Sequence, residues 1–231
     1  NFSATGHTLQ VTSITGGDAA KMKSTGGDIL SLESTTASSR STIKLITNGN
    51  DWELGARGSS GNPNNTFYIY DNNASDYRFQ ISENGHILAP NNVAFSARGG
   101  PADVTNTTII FATVEFQRGG TNYDNSTGVF TAPVNGIYHF MCNPYRYQDS
   151  NDSAILLQKS TDGGSNWTDE IEIRNMNNYN PGSGADSGRG WFTLSLSNLM
   201  SLNSSDKVRI KAINRVHTNG VFSRFSGFLV A

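Results

Sequence analysis

The chain is short of cysteine, of charge and of long apolar runs, and each shortage removes a class of protein. Cys142 is its single cysteine, so no disulfide can close within one chain and a disulfide-stapled secreted domain is excluded. In the strand-like run IYHFMC it reads as a small buried hydrophobe. No stretch approaches the roughly 18–20 consecutive apolar residues of a spanning helix, which excludes membrane insertion of that kind. The first residues show no charged-then-apolar leader and no initiator methionine, so a processed or truncated piece is expected. Net charge is −2, and no Lys/Arg block offers a surface that could neutralise phosphates. Nucleic acid is therefore not an expected partner. Helix signals are almost absent.

What is present points to β-structure. Charged residues are 16% and hydrophobic residues 35%, both below the usual globular share, while Gly, Asn, Ser and Thr are abundant. That balance suits many short strands joined by tight turns. In the first 90 residues Thr15-Gly16-Gly17-Asp18 recurs as Thr25-Gly26-Gly27-Asp28, a short-period repeat with only Leu9 and Val11 or Leu30 and Leu32 as inward apolar pairs. Pieces so thin are expected to share an apolar seam between identical chains. Alternation strengthens in Ile43 and Leu45, Trp52 and Leu54, Phe67 and Ile69, then Phe79 and Ile81 before the Asn84-Gly85 turn. Ala89-Pro90-Asn91-Asn92 interrupts it and is the best boundary. Beyond it, strands are predicted near 93–98, 108–117, 128–132, 136–143, 153–159, 169–175, 190–197, 207–214 and 221–230.

Tyr123–Phe140, YDNSTGVFTAPVNGIYHF, reads turn, strand, turn, strand, and Phe222–Val230, FSRFSGFLV, supplies a closing strand about a hundred residues later. Through Phe95, Ala97, Phe116, Tyr123, Thr127, Gly128, Phe130, Pro133, Gly136, Tyr138, Phe140, Phe225, Gly227, Phe228 and Leu229, this region resembles the C1q/TNF-like globular head domain. The resemblance implies a jelly-roll β-sandwich that associates in threes. The run from Asp51 to Ile87 resembles small β modules of bacteriophage tail fibres. The expected chain is thus all-β: a β-repeat stalk segment over residues 1–38, a small β fibre module over 39–90, and a C1q-like jelly-roll head over 91–231, the upstream part being an intertwined trimeric fibre segment.

Antiparallel strands reverse direction at each step, so the loops 144–152, 176–189 and 215–220 should share one exposed end of the sandwich. They carry Tyr145, Arg146, Tyr147, Tyr179, Arg189, Arg215 and His217. Tyr and Arg are residue types that anchor recognition surfaces, and loops on a rigid scaffold commonly carry function. Chemistry of other kinds is weakly signalled. Asp169, Glu170 and Glu172 could offer a carboxylate pair of the glycosidase type, with Glu170 and Glu172 on one strand face. Asp71, Asp76, Asp149, Asn151 and Asp152 follow no calcium-loop spacing. The four histidines have no zinc spacing, and no cofactor, metal or catalytic residue is expected.

The function these signals favour is a homotrimeric virion appendage, a phage tail or head fibre, joined to other virion proteins on its N-terminal side and recognising a host-surface glycan or protein through its head. The alternatives are a secreted or surface bacterial C1q-like adhesin and a polysaccharide depolymerase.

Overall fold

The computed structural model describes residues 32–34, 36–146, 152–176 and 193–231. In chain order its strands are β1 Arg40–Thr47, β2 Asn50–Arg57, β3 Phe67–Asp71, β4 Asp76–Ile81, β5 Ile87–Leu88, β6 Ala94–Arg98, β7 Thr113–Arg118, β8 Tyr123–Asp124, β9 Val129–Thr131, β10 Gly136–Cys142, β11 Tyr145–Arg146, β12 Asp152–Ser160, β13 Thr168–Met176, β14 Leu196–Leu202, β15 Lys207–Ala212, β16 Val216–His217 and β17 Arg224–Leu229. The chain falls into two units. One reaches to Asp76 and includes Gln80–Ile87, and the other comprises Tyr77–Phe79 and Leu88–Ala231.

The first unit is a meander with strands in sequence order, β1-β2-β3-β4-β5. Its first hairpin runs from Arg40 opposite Arg57 to Thr47 opposite Asn50, closed at Asn48-Gly49, a dipeptide suited to tight hairpin turns. Alternation places Ile43 and Leu45 opposite Leu54 and Trp52 on one face, and Ile43 and Leu45 stay exposed. The other face is polar yet buried at its centre: Glu53 is fully buried, accepts a hydrogen bond from the Tyr68 hydroxyl at 2.5 Å and pairs with Arg40 at 3.3 Å. Burial, reinforced by the neighbouring carboxylate, pushes the Tyr68 phenol up to about 12. The Thr-Gly-Gly-Asp repeats lie outside the described residues.

The second unit is a jelly-roll sandwich. One sheet has the order β14-β10-β17-β6-β7 and the other β13-β12-β15-β9-β8, so successive pairs and single strands switch from sheet to sheet along the chain. The period-two reading of β10 holds: Tyr138, Phe140 and Cys142 are buried while Ile137, His139 and Met141 face outward. Between the sheets Phe95 stacks on Tyr123 at 4.9 Å and on Phe130 at 5.2 Å, and meets Phe225 edge-on at 5.1 Å. Tyr123 keeps its hydroxyl satisfied inside this apolar stack by accepting from the Phe111 N–H at 3.0 Å. The stack closes because position 227 has no side chain; a Cβ there would stand 2.6 Å from Phe140 and 2.8 Å from Phe95.

Three predicted strands shift. The run 108–117 is not one strand: β7 starts only at Thr113, and residues before it lie along β15, with Thr108 bridging Lys211 and the Ile109 N–H donating to Ile210 at 2.8 Å. Ile109 and Phe111 are fully buried and Val114, of the other parity, packs on the same core, so apolar residues run through the crossing between sheets and hide it. The strand predicted at 190–197 is Leu196–Leu202; Asn198 occupies an inward register position opposite Phe140 and masks the apolar period. The closing strand begins at Arg224, after a 3-10 turn at Gly220–Phe222.

Candidate functional site at the loop end of the sandwich

Residues Leu88–Asn92 enter the sandwich at the end where β17 finishes, since the Leu229 N–H donates to Val93 at 2.9 Å. At the opposite end lie the start of β17, the ends of β6 and β10 and the start of β14, because Arg224 pairs with Arg98, and Cys142 with both Phe225 and Leu196. The described parts of two of the expected loops, residues 145–146 and 215–220, lie at that end, and the loop 177–189 lies outside the described residues. There Tyr145–Arg146 and Val216–His217 form a two-stranded ribbon, Tyr145 opposite His217 and Arg146 opposite Val216. The structure thus brings together Tyr145, Arg146, Arg215 and His217. Tyr147, Tyr179 and Arg189 lie outside the described residues.

The ribbon is tied to a segment the strand pattern had left without a role. Val104 and Val216 exchange backbone hydrogen bonds at 2.9 Å, which sets Asp103 beside the ribbon. Its carboxylate accepts from the Arg215 guanidinium at 2.7 Å and lies 3.5 Å from His217 Nδ1. Partial burial pulls the Asp103 carboxyl upward, but the Arg215 and His217 donors outweigh it and hold the group below the usual aspartate range. An apolar element completes the surface: the Tyr145 ring meets Phe222 edge-on at 5.7 Å, and Val221 and Phe222 are 62% and 65% exposed. Asp103 and Phe222 were missed in the sequence, the first in a loop without periodicity and the second counted inside the closing strand.

Next to the ribbon a cavity of about 480 Å³ opens between Arg98–Pro101, Ile110, Ala112, Thr113 and Asn219–Gly220. The loops meet closely at its floor. Gly99 has φ +63°, and a Cβ on it would come within 2.9 Å of the Gly220 carbonyl, so both backbone conformation and space require glycine. A mixed surface of aromatic edge, paired cation and backbone fits reversible recognition of a polar ligand or a protein.

The carboxylates of β13 do not assemble into an acid–base pair. A bulge at Leu157/Gln158 sets Asp169 opposite Gln158 and Glu172 opposite Leu156, so Asp169, not Glu170, shares a row with Glu172. Asp169 accepts from the Gln158 amide at 2.6 Å and Glu172 is held by Arg174 at 2.6 Å. Among the described residues no group of three His, Cys, Asp or Glu side chains could hold a metal ion.

A family model described as the C1q domain matches residues 94–230, more than half of the chain. A comparison with curated proteins finds no match. Among solved structures, the globular domain of zebrafish complement 1qA protein is 17% identical, covers 61% of this chain and 98% of its own, and has a TM-score of 0.46. Eiger TNF from S. frugiperda is 9% identical over 61% of this chain and 94% of its own, at 0.48, and murine APRIL at pH 8.5 is 6% identical over 60% and 99%, at 0.44. These findings correct the expectation of a phage fibre and of a virion location. The family matched is that of the C1q domain, and nothing in the comparisons supports a phage tail-fibre module in residues 39–90. The loose pattern of Trp, aromatic pairs and Asn-Gly turn that suggested such a module is met by an ordinary five-stranded meander.

Proposed function

We propose that this chain, which belongs to the C1q domain family, is a secreted or cell-surface recognition protein that works as a homotrimer and binds a glycan or protein through the loop end of its sandwich. C1q domains are non-catalytic, and the chain is not an enzyme.

The observation that carries this reading is the outward face of the β14-β10-β17-β6-β7 sheet. Phe116, Ile137, Met141, Leu199 and Phe228 are all exposed there, on neighbouring rows of the face: Phe228 and Leu199 flank His139, and Ser226 and Ser96 stand between Met141 and Phe116. Burying each such side chain is worth about 1.5–3 kcal/mol, and a contiguous apolar patch on a sheet face is a mark of association. At its loop-end margin, Glu115 draws together Arg98 at 3.1 Å, Arg224 at 3.0 Å and the Ser96 hydroxyl at 2.9 Å, a polar rim beside an apolar centre. A threefold contact through this sheet would point three ribbons the same way, and weak single-site affinity would be multiplied by simultaneous engagement. The exposed Ile43 and Leu45 of the first unit favour shared packing upstream as well.

Light scattering of the native protein at several concentrations tests the assembly. A mass about three times the 24.9 kDa of one chain, unchanged on dilution, is the expected result; a stable monomer overturns it. Binding to an array of glycans and to cell-surface protein extracts, lost in Tyr145→Ala and Phe222→Ala, would support recognition at the loop end. Binding that survives both substitutions would overturn that placement.

A further inference from the structure

We propose a second binding site on the outward face of the β15 sheet, for a sugar that carries a carboxylate, such as a uronic acid. It uses neither the ribbon nor the outward face assigned to the threefold contact, so it stands or falls apart from the function proposed above.

The site is a cavity of about 360 Å³ lined by Trp167, Lys207, Arg209, Thr127, Thr131 and Asp124, among others. Its cations are there by strand geometry. Val208 and Ile210 of β15 are fully buried, so Lys207 and Arg209 must emerge on the opposite face. Arg209 is held before any ligand arrives. Its Nε donates to Gln158 at 2.8 Å, Gln158 in turn donates to Asp169 at 2.6 Å, and the guanidinium carbon lies 3.9 Å from the centre of the Trp167 ring. The indole is itself fixed, its N–H donating to the Gly164 carbonyl at 2.9 Å. Among the described residues the terminal nitrogens of Arg209 and the ammonium of Lys207 have no hydrogen-bonded protein partner. One held guanidinium and one unpaired ammonium in the same cavity are what a carboxylate needs, Arg supplying a planar fork.

The one carboxylate in the cavity does not take their place. Asp124 is turned onto its own loop, accepting from the Ser126 N–H at 2.8 Å, the Ser126 hydroxyl at 2.6 Å and the Thr127 hydroxyl at 2.9 Å. Among the lining residues Lys207 and Arg209 outnumber Asp124, and Asp169, which also acts on Arg209 from beside the cavity, is engaged by the Gln158 amide. The remaining lining distinguishes a sugar acid from a bare anion. Trp167 is only partly buried and offers to the C–H groups of a pyranose the ring edge that Arg209 leaves uncovered, while the Thr131 hydroxyl makes no hydrogen bond among the described residues and can answer a sugar hydroxyl.

The test is a titration of the full chain, labelled with 15N-tryptophan, with sodium glucuronate, glucose and inorganic phosphate in parallel. The indole N–H signal that vanishes in Trp167→Phe reports the site. The expected result is a saturable shift with glucuronate, at least about 10-fold weaker in Lys207→Gln, a loss of about 1.4 kcal/mol. Glucose and phosphate should each bind more weakly than glucuronate. Lys207 has no protein partner to lose, so that variant should fold as the parent does, and unchanged signals from the other two tryptophans would verify it. No saturable shift with glucuronate overturns the site. So does equal affinity for glucose, an unchanged affinity in Lys207→Gln, or phosphate binding as tightly as glucuronate, which would make it a simple anion site.

Discussion

Gly227 sets the tolerance of the aromatic core. Its missing side chain leaves room for the Phe140 and Phe95 rings, and a methyl group there would meet ring carbons at 2.6 and 2.8 Å. Gly227→Ala should therefore cost about 1–3 kcal/mol by overpacking, read as a lower urea midpoint with the slope unchanged. A substitution that left the midpoint alone would mean the rings can swing aside. Cys142 gives a second test at this scale. It is fully buried, and burial pushes its thiol well above the ordinary range, so almost no thiolate, the nucleophilic form, exists near neutrality. The folded protein at pH 8 should resist a maleimide for as long as the urea-unfolded chain takes to react completely. Prompt labelling of the native state would show that the core opens at β10.

Among the elements, the β11–β16 ribbon is the one whose support titrates, because Asp103 is paired with Arg215 beside it. Asp103 is favoured in its ionised form when folded, so the stability it lends is fully present above its ordinary value near 3.9 and is lost as the pH falls through the lower folded value. For a partly exposed pair this contribution is at most about 1 kcal/mol. Hydrogen-exchange protection of the Val104 and Val216 amides should accordingly drop on going from about pH 5 to pH 3, while Asp103→Asn should show the reduced protection at both. Equal protection in parent and variant at pH 5 would exclude the pair as a support of the ribbon. The sequence showed the ends of the ribbon but not what holds it. Tyr145, Arg146, Arg215 and His217 stood out by residue type and by loop counting, whereas Asp103 belongs to a segment whose place depends on a backbone bridge from Val104 to Val216, a pairing of residues 112 positions apart that no local pattern announces. The sandwich strands were legible because Tyr138/Phe140 and Val208/Ile210 alternate cleanly. The crossing at 108–112 was not, because apolar residues run through it without a break from Ile109 and Phe111 to Val114.

For the whole molecule, the apolar outward face of the β17 sheet predicts its own disruption. Phe228→Asp puts a charge in the middle of the proposed threefold contact yet touches no core residue across the sheet, because Phe228 is exposed in the single chain. The expected outcome is a mass of one chain, 24.9 kDa, with an unchanged far-ultraviolet spectrum. A trimer that persists would place the contact elsewhere. Recognition of the family came from residues that pack, Phe95, Phe130, Phe140 and Gly227, which speak of fold and not of ligand; that is why the sandwich was foreseen correctly while the expected setting, a virion fibre, was wrong. The position of β17 has one further consequence. It sits between β10 and β6 in the middle of its sheet and yet follows every other strand in the chain, pairing Phe95 with Gly227. A nascent chain on the ribosome can thus lay down both neighbours and still have an open seam between them until Arg224–Leu229 emerges. The sandwich cannot be closed piecemeal from its N-terminal side: a polypeptide that stops before Arg224 should be held by chaperones or degraded rather than released as a smaller folded form.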